Sequence, residues 1–270
     1  MINRILNCDA VTGMRSLPND HVPLTVTSPP YDDLRDYGGH RFNFEEIATE
    51  LFRVTKPGGV IAWHVADQII DGSESCTIDK QTLFFRELGF RLYQRIYIVA
   101  LSYRKTPRRY YRQTSIVLAL SKGRPDTVIP LKDRPNVNAG RISVGGLKYR
   151  EPDASLTQRR PPKVCPSHGT RGDCWVYDVG GVKTTRDHYA FAQGALMPER
   201  LARDLIRSYS EPRDLVLDPM AGAGTTPKMA LLTHRRYLGF EPWDKAFAIS
   251  ERRMQDAHTL LTDMCLEIGS

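Results

Sequence analysis

The chain has 270 residues, 41% of them hydrophobic and 26% charged, with a formal net charge of +7. That length buries one large core, or one core with an inserted module, and the composition excludes disordered, fibrous and disulfide-rich classes. No apolar run approaches membrane-spanning length, the N-terminus turns polar too soon for a secretory signal, and five scattered cysteines fit a reducing cytoplasm.

In chain order, Arg4 to Cys8 reads as a short strand that could follow the last helix of the chain in space. Leu24-Thr25-Val26-Thr27 reads as a buried strand running into Ser28-Pro29-Pro30, where two prolines end regular pairing. Phe42 to Val54 has helical periodicity, and Lys56-Pro57-Gly58-Gly59 is expected to stop it before the strand Val60 to Val65. A helix over Ile78 to Leu88 follows. Leu92 to Leu101 and Ser115 to Leu120 are β-rich and predict an antiparallel pair at one side of the sheet.

From Lys122 to about Asp173 the chain is rich in Gly, Pro and Arg, too long for an ordinary connection, and reads as an inserted module. Order returns with a helix over Pro198 to Tyr209, a strand Leu215 to Asp218, and a helix Thr225 to Thr233. A strand Tyr237 to Phe240 and a helix from Trp243 to about His258 complete the chain. This alternation predicts an α/β fold with a mainly parallel sheet.

Asp218 ends a strand, and Gly222 and Gly224 lie in the tight turn that opens the next helix, where backbone amides are free to meet a ligand. No Gly-Lys-Ser/Thr follows, so the loop is not of the nucleoside-triphosphate type. The following strand ends in Phe240-Glu241, and an acid at that position accepts bonds from ribose hydroxyls, or caps the next helix.

Asp218-Pro219-Met220-Ala221-Gly222-Ala223-Gly224-Thr225-Thr226, followed by Arg235-Arg236-Tyr237-Leu238-Gly239-Phe240-Glu241, resembles the S-adenosylmethionine site of amino-methylating DNA methyltransferases. The resemblance implies that Asp218, Pro219, Met220, Ala221, Gly222, Gly224 and Thr225 surround the methionine part, beside Thr27. It implies that Glu241 holds the ribose while Phe240 or Trp243 flanks the adenine. Leu6-Asn7-Cys8-Asp9-Ala10 is similar to the family segment that carries Gly-Asp, which places Asp9 by the adenine, although Cys8 stands where glycine is usual. His188-Tyr189-Ala190 is similar to the remaining segment and brings His188 to the cofactor, with altered spacing.

Ser28-Pro29-Pro30-Tyr31 is the sharpest local pattern. An aromatic amine must be oriented before it can act as a nucleophile, because its lone pair is delocalised into the ring. The Ser28 hydroxyl and the Pro29 carbonyl can accept its two N–H bonds, proline brings no competing donor, and Tyr31 can stack on a base rotated out of the duplex. Transfer would then be an in-line displacement, with acceleration from alignment and exclusion of water. Ser28, Pro29, Pro30 and Tyr31 are therefore the catalytic candidates.

Thr27 to Tyr31, continued by Leu34-Arg35-Asp36-Tyr37-Gly38, resembles particularly the cytosine-N4 branch; adenine-N6 relatives usually place Asp or Asn where this chain has Ser28. Ring-carbon cytosine enzymes need a Pro-Cys nucleophile, and the chain has none. The resemblance implies a circularly permuted, Rossmann-like methyltransferase fold. Residues 1–121 form its catalytic half, 122–173 the target-recognition module, and 174–270 the cofactor half.

The expected activity is site-specific methylation of duplex DNA at cytosine N4. The alternatives are adenine-N6 methylation or a DNA-binding protein of this fold without transfer. A cognate restriction endonuclease is a further partner class that the resemblance implies, and the sequence favours neither monomer nor homodimer.

Lys122 to Arg171 holds eleven Lys/Arg against four Asp/Glu, and Tyr103 to Arg112 five basic residues and no acid. Arg104, Lys105, Arg108, Arg109 and Arg112, with Lys148, Arg150, Arg159 and Arg160, are the candidates for DNA phosphates. Cys165, His168 and Cys174 are spaced Cys-x2-His-x5-Cys without an evident fourth ligand, so no metal is assigned. His64 reads as an end-of-strand packing residue.

Overall fold

In the computed structural model of the chain, residues 2–30, 42–101, 108–143, 152–155 and 163–268 are described, with 264–268 described through the backbone alone. They fall into two compact units, residues 1–129 with 173–270, and residues 130–172. The Gly/Pro/Arg-rich composition begins at Lys122, but the second unit begins only at Pro130. Residues 122–129 stay with the first unit because Lys122 and Asp126 donate their amides to Gly59 and Gly58, and Ile129 donates to Ser208.

The first unit opens with β1 (Arg4–Leu6), α1 (Ala10–Arg15), β2 (Val22–Thr27), α2 (Phe44–Val54) and β3 (Thr55–Val65). A small hairpin, β4 (Ile69–Ile70) and β5 (Ser73–Glu74), precedes α3 (Thr77–Glu87), β6 (Arg91–Ala100) and β7 (Thr114–Ser121). The second unit contains two short antiparallel ladders: β8 (Arg134–Pro135) with β11 (His168–Gly169), and β9 (Ile142–Ser143) with β10 (Lys163–Val164). The chain then returns to the first unit with β12 (Cys174–Tyr177), α4 (Glu199–Tyr209), β13 (Leu215–Asp218), α5 (Thr225–Leu232), β14 (Arg236–Phe240) and α6 (Asp244–Ile268).

Eight strands form one sheet in the order β1-β14-β13-β2-β3-β7-β6-β12. Only β7 is antiparallel to its neighbours, so the other seven point the same way. The expected antiparallel pair is present as β6 and β7. The sequence reading did not foresee β12, which adds to the outer side of β6 in parallel, so β6 is not the edge. Cys174 to Tyr177 is short, but Trp175 and Tyr177 alternate inward and are buried, which is what fixes it as a strand.

The Lys56 to Gly59 stop lies inside β3 rather than before it. Thr55 already pairs with Val22, the register then slips, and Gly58 takes φ +78° while exchanging backbone bonds with Lys122 and Asp126. The Pro-Gly-Gly sequence therefore makes a bulge within a longer strand.

Both faces of the sheet are covered, as a parallel sheet requires. On one face α1, α2 and α3 bury Met14, Leu51 and Phe85 against Ile61, Trp63, Leu118, Leu217 and Phe240. An edge-to-face aromatic cluster of Phe44, Trp63, Phe85 and Phe90 lies at its centre, and the Trp63 indole donates to Gln81 at 2.8 Å. The alternate strand residues face α4, α5 and α6; a Cβ on Gly239 would lie 3.0 Å from Ala221 and in ordinary contact with Pro227.

The chain moves outward from β2 to β3 on one side and from β13 to β14 on the other, where β1 lies beyond β14. The β2/β13 boundary is therefore the topological switch point, where the carboxyl ends of the strands leave a crevice.

Candidate active site

Thr27 ends β2 and Asp218 ends β13, the two strands flanking that switch point. The Thr27 hydroxyl donates to Asp218 Oδ1 at 2.7 Å, and the Met220 amide donates to the same oxygen at 3.2 Å. Burial pushes the Asp218 carboxyl up to about 6, against the hydrogen bonds from Thr27 and Met220, and the nearby Glu241 carboxylate adds to the rise. The loop after Asp218 turns through Gly222 (φ +52°) and Gly224 (φ +76°), left-handed torsions that glycine adopts without strain. Glu241 leaves the end of β14 and folds back: its carboxylate accepts from the Gly222 amide at 2.8 Å and the Trp243 amide at 2.9 Å.

A cavity of about 980 Å³ opens at this edge, lined by Asp9, Ser28, Pro29, Pro30, His64, Pro219 to Ala223, Thr225 and Glu241. Asp9 serves two ends, because its side chain also caps α1 by accepting from the Thr12 amide at 2.9 Å. The register pairs Thr27 with Trp63 where β2 ends, and the next residue on each side, Ser28 and His64, lines the cavity. His64 bonds the Ser115 hydroxyl through Nε2 at 2.7 Å, and burial pushes its imidazole down to about 4. It is therefore neutral at neutral pH.

The lining is acidic: Asp9, Glu46, Asp218 and Glu241 contribute carboxylates, and Arg15 is its only Lys or Arg among the described residues. A wall of that sign suits a cationic ligand. The size suits a nucleoside-containing cofactor, and S-adenosylmethionine brings an ammonium, a sulfonium and a ribose diol to such a donor set.

Several candidate positions take other places. Phe240 is fully buried in the core and does not line the cavity; a Cβ on Gly13 would lie 2.4 Å from its ring. Thr27 and Gly224 shape the site from behind, the first through Asp218, the second where the loop turns against Ser250 and Ile5. Trp243 supplies an amide to Glu241 rather than a cavity wall, and the exposed His188 is not brought to the cavity.

Gln193 to Met197, Val179, Gly180 and Thr184 line the cavity instead, from irregular segments whose sequence carries no periodic signal. Tyr31 lies outside the described residues, as do Arg104, Lys105, Lys148, Arg150, Arg159 and Arg160.

Sequence reasoning also missed what holds these segments. Arg253 of α6 is fully buried and donates to Asp187 at 2.6 Å, Glu199 at 2.6 Å, the Ala223 carbonyl at 2.9 Å and the Thr225 hydroxyl at 3.0 Å. Lys228 of α5 bridges the same two carboxylates at 2.7 Å each. Burial alone would raise the Asp187 carboxyl, but the bonds and charges of Lys228 and Arg253 hold it below the usual range. This network ties the glycine loop to the segment that completes the cavity wall.

Of the basic candidates in the first unit, Arg108 is exposed. Arg109 donates to the Gly72 carbonyl, and Arg112 donates to the Asp67 carbonyl while lying 3.8 Å from Glu74. Among the described residues, no group of three or more His, Cys, Asp or Glu could hold a metal ion.

The family model for N6- and N4-methylating enzymes, described as DNA methylase, matches residues 22–252. The orphan methyltransferase M.BamHII of Bacillus amyloliquefaciens is 41% identical over 242 residues, covering 87% of this chain and 89% of that one. Among solved structures, PvuII DNA methyltransferase (cytosine-N4-specific) superposes with a TM-score of 0.62 at 17% identity, covering 94% of this chain and 90% of that one. TTHA0409 of Thermus thermophilus, solved in complex with S-adenosyl-L-methionine, gives 0.61 at 21% identity, covering 94% and 95%. Those two likenesses show a shared fold, whereas the family match covers most of the chain. The chain belongs to the N6/N4 DNA methylase family and is a DNA amino-methyltransferase of the S-adenosylmethionine-dependent class.

Proposed function

We propose that this enzyme methylates the exocyclic N4 amine of a cytosine turned out of duplex DNA, at a sequence selected by its second unit. The observation that carries the reading is the meeting of Ser28-Pro29-Pro30 and Asp218 to Glu241 in one acidic cavity at the switch point.

S-adenosylmethionine supplies an activated methyl group on a sulfonium. Asp218 and Glu241 are the residues to hold its cationic and ribose ends, with Gly222 allowing close backbone approach and Asp9 at the adenine side. Ser28 Oγ and the Pro29 carbonyl accept the two amine hydrogens and turn the nitrogen lone pair toward the methyl carbon. Bound there, S-adenosylmethionine would supply the methyl carbon, its S–C pair leaving with sulfur as the N–C bond forms, and the methylated amine would lose one proton to solvent water. His64 stays neutral beside Ser28, so no imidazolium repels the sulfonium.

Ser28 supports cytosine over adenine, because a hydroxyl stands where a carboxylate or amide is usual for adenine N6. In the second unit the described Lys132, Arg134, Arg141 and Lys163 are exposed, which supports a role in holding the duplex.

The test is incubation with labelled S-adenosylmethionine and DNA of varied sequence, followed by nucleoside mass analysis. N4-methylcytosine is the expected product, and N6-methyladenine would overturn the choice of base. Ser28→Ala is expected to lower kcat by about 10²-fold through lost alignment, with cofactor affinity unchanged. Full turnover in that variant would remove Ser28 from the mechanism.

A further inference from the structure

The hairpin that follows β3 is built unlike its surroundings. β3 ends at the cavity with His64 and Val65, and within a few residues the chain makes a two-residue hairpin loop, Asp71-Gly72, with both residues at positive φ (49° and 78°). That is the loop geometry which matches strand twist. The base of the hairpin is firmly held. Ser75 and Gln68 exchange bonds of 2.9 and 3.0 Å, Asp67 accepts the Ile78 amide at 3.0 Å, and Lys80 reaches the Ser75 carbonyl at 3.0 Å. The turn itself is Asp71-Gly72, and the strand leading into it carries Ile69 and Ile70 on opposite faces of the hairpin, 43% and 51% exposed.

Both large aliphatic side chains stand half exposed beside the turn, and neither belongs to the buried core under the sheet. Their neighbours are cationic. Arg109 bonds the Gly72 carbonyl and Arg112 the Asp67 carbonyl, so the basic loop and the hairpin form one element. Tyr110, between them in sequence, is fully exposed. Ile70 is six residues beyond His64, so it stands no more than about 22 Å from the cavity wall.

Taking the proposed base-turning reaction as its premise, we infer that Ile69 and Ile70 form a wedge that enters the base stack of the duplex beside the target, stabilising the gap the extruded base leaves. The chemistry is matched on both counts: aliphatic carbon meets the apolar faces of unstacked bases, and the arginine-bearing loop behind it meets the flanking phosphates. A protein partner would offer no reason for this pairing of exposed aliphatic carbon with cations held at the turn and at the base of the hairpin. Extrusion costs least where the base is already unpaired, so the contribution of a wedge should vanish on such DNA.

The experiment compares the wild-type enzyme with Ile69→Ser, Ile70→Ser and the double variant on two substrates. One is the fully paired duplex that the wild type methylates; the other carries an abasic site opposite the target base. Cofactor affinity and the thermal melt serve as controls, and both should be unchanged because the side chains are exposed.

The expected result is a fall in kcat/KM of about tenfold or more for the double variant on the paired duplex, with less than about twofold on the abasic one. A 2-aminopurine probe beside the target should show the matching loss of unstacking. Equal loss on both substrates, or none on either, overturns the wedge. Absence of methylation by the wild type on any DNA would instead overturn the function on which the wedge rests.

Discussion

Replacing Arg253 by methionine tests whether the buried ion network holds the site together. The side chain is fully buried and makes five hydrogen bonds, to Asp187, Glu199, the Ala223 carbonyl, Thr225 and Thr185. With arginine and Lys228 facing two carboxylates, the cluster is balanced. Methionine leaves one net negative charge and an unmet carbonyl behind.

Breaking a buried pair by removing one partner costs about 3–5 kcal/mol. The lower end applies here, because Lys228 still spans both carboxylates and their side chains keep 15% and 19% of their exposure. A loss near 3 kcal/mol is a large share of the about 5–15 kcal/mol of a typical domain. Urea unfolding followed by circular dichroism reads the loss, and titration with S-adenosylmethionine reads the second effect. Ala223 and Thr225 line the cavity, so freeing them should weaken cofactor binding about tenfold, whereas Arg253→Lys keeps the charge and should recover part of both. A stability loss below about 1 kcal/mol, with cofactor affinity unchanged, would refute the account.

Three further outcomes follow from the same structure. Asp218 sits near 6, and a cationic cofactor favours its ionised form, so affinity for S-adenosylmethionine should weaken as pH falls through about 6, by up to about tenfold per pH unit. Calorimetry from pH 5 to 8 checks this; a flat profile, or the same slope in Asp218→Asn, rejects it. His64 is held near 4 against an ordinary 6.5, so the unfolded chain takes up that proton first as pH falls. Its contribution is complete above 6.5 and is lost between 6.5 and 4, by about 3 kcal/mol. Because Asp218 acts in the opposite sense from about 6 to 4, the measurement is the difference between wild type and His64→Gln at pH 7 and pH 4.5; equal pH dependence of the two would exclude it. Gly13→Ala would ordinarily strengthen a helix by about 1 kcal/mol, but its methyl meets the Phe240 ring. Chemical denaturation should show a net loss of about 1–3 kcal/mol, and a variant at least as stable as wild type would be inconsistent with the packing described.

The sequence by itself determined the elements whose signal is local. Alternating strand–helix patterns from Leu215 to the C-terminus, Pro-Pro after Thr27 and the glycines after Asp218 each constrain the backbone directly. Reading them recovers the mainly parallel sheet and the two loops, whereas the permuted order was what the resemblance to amino-methylating enzymes implied. Where side chains go once several elements converge was decided only by tertiary structure.

Phe240 and Glu241 are adjacent, yet one enters the core against Gly13 and the other enters the cavity, because successive strand residues face opposite ways. The Arg253 network joins residues from 185 to 253 that no local pattern connects, and β12 finds its place only because β6 offers an unpaired edge. Arg109 and Arg112 read as phosphate contacts on composition. The fold also brings both against the carbonyls of a hairpin, Gly72 and Asp67, a contact between distant segments that composition alone does not reveal.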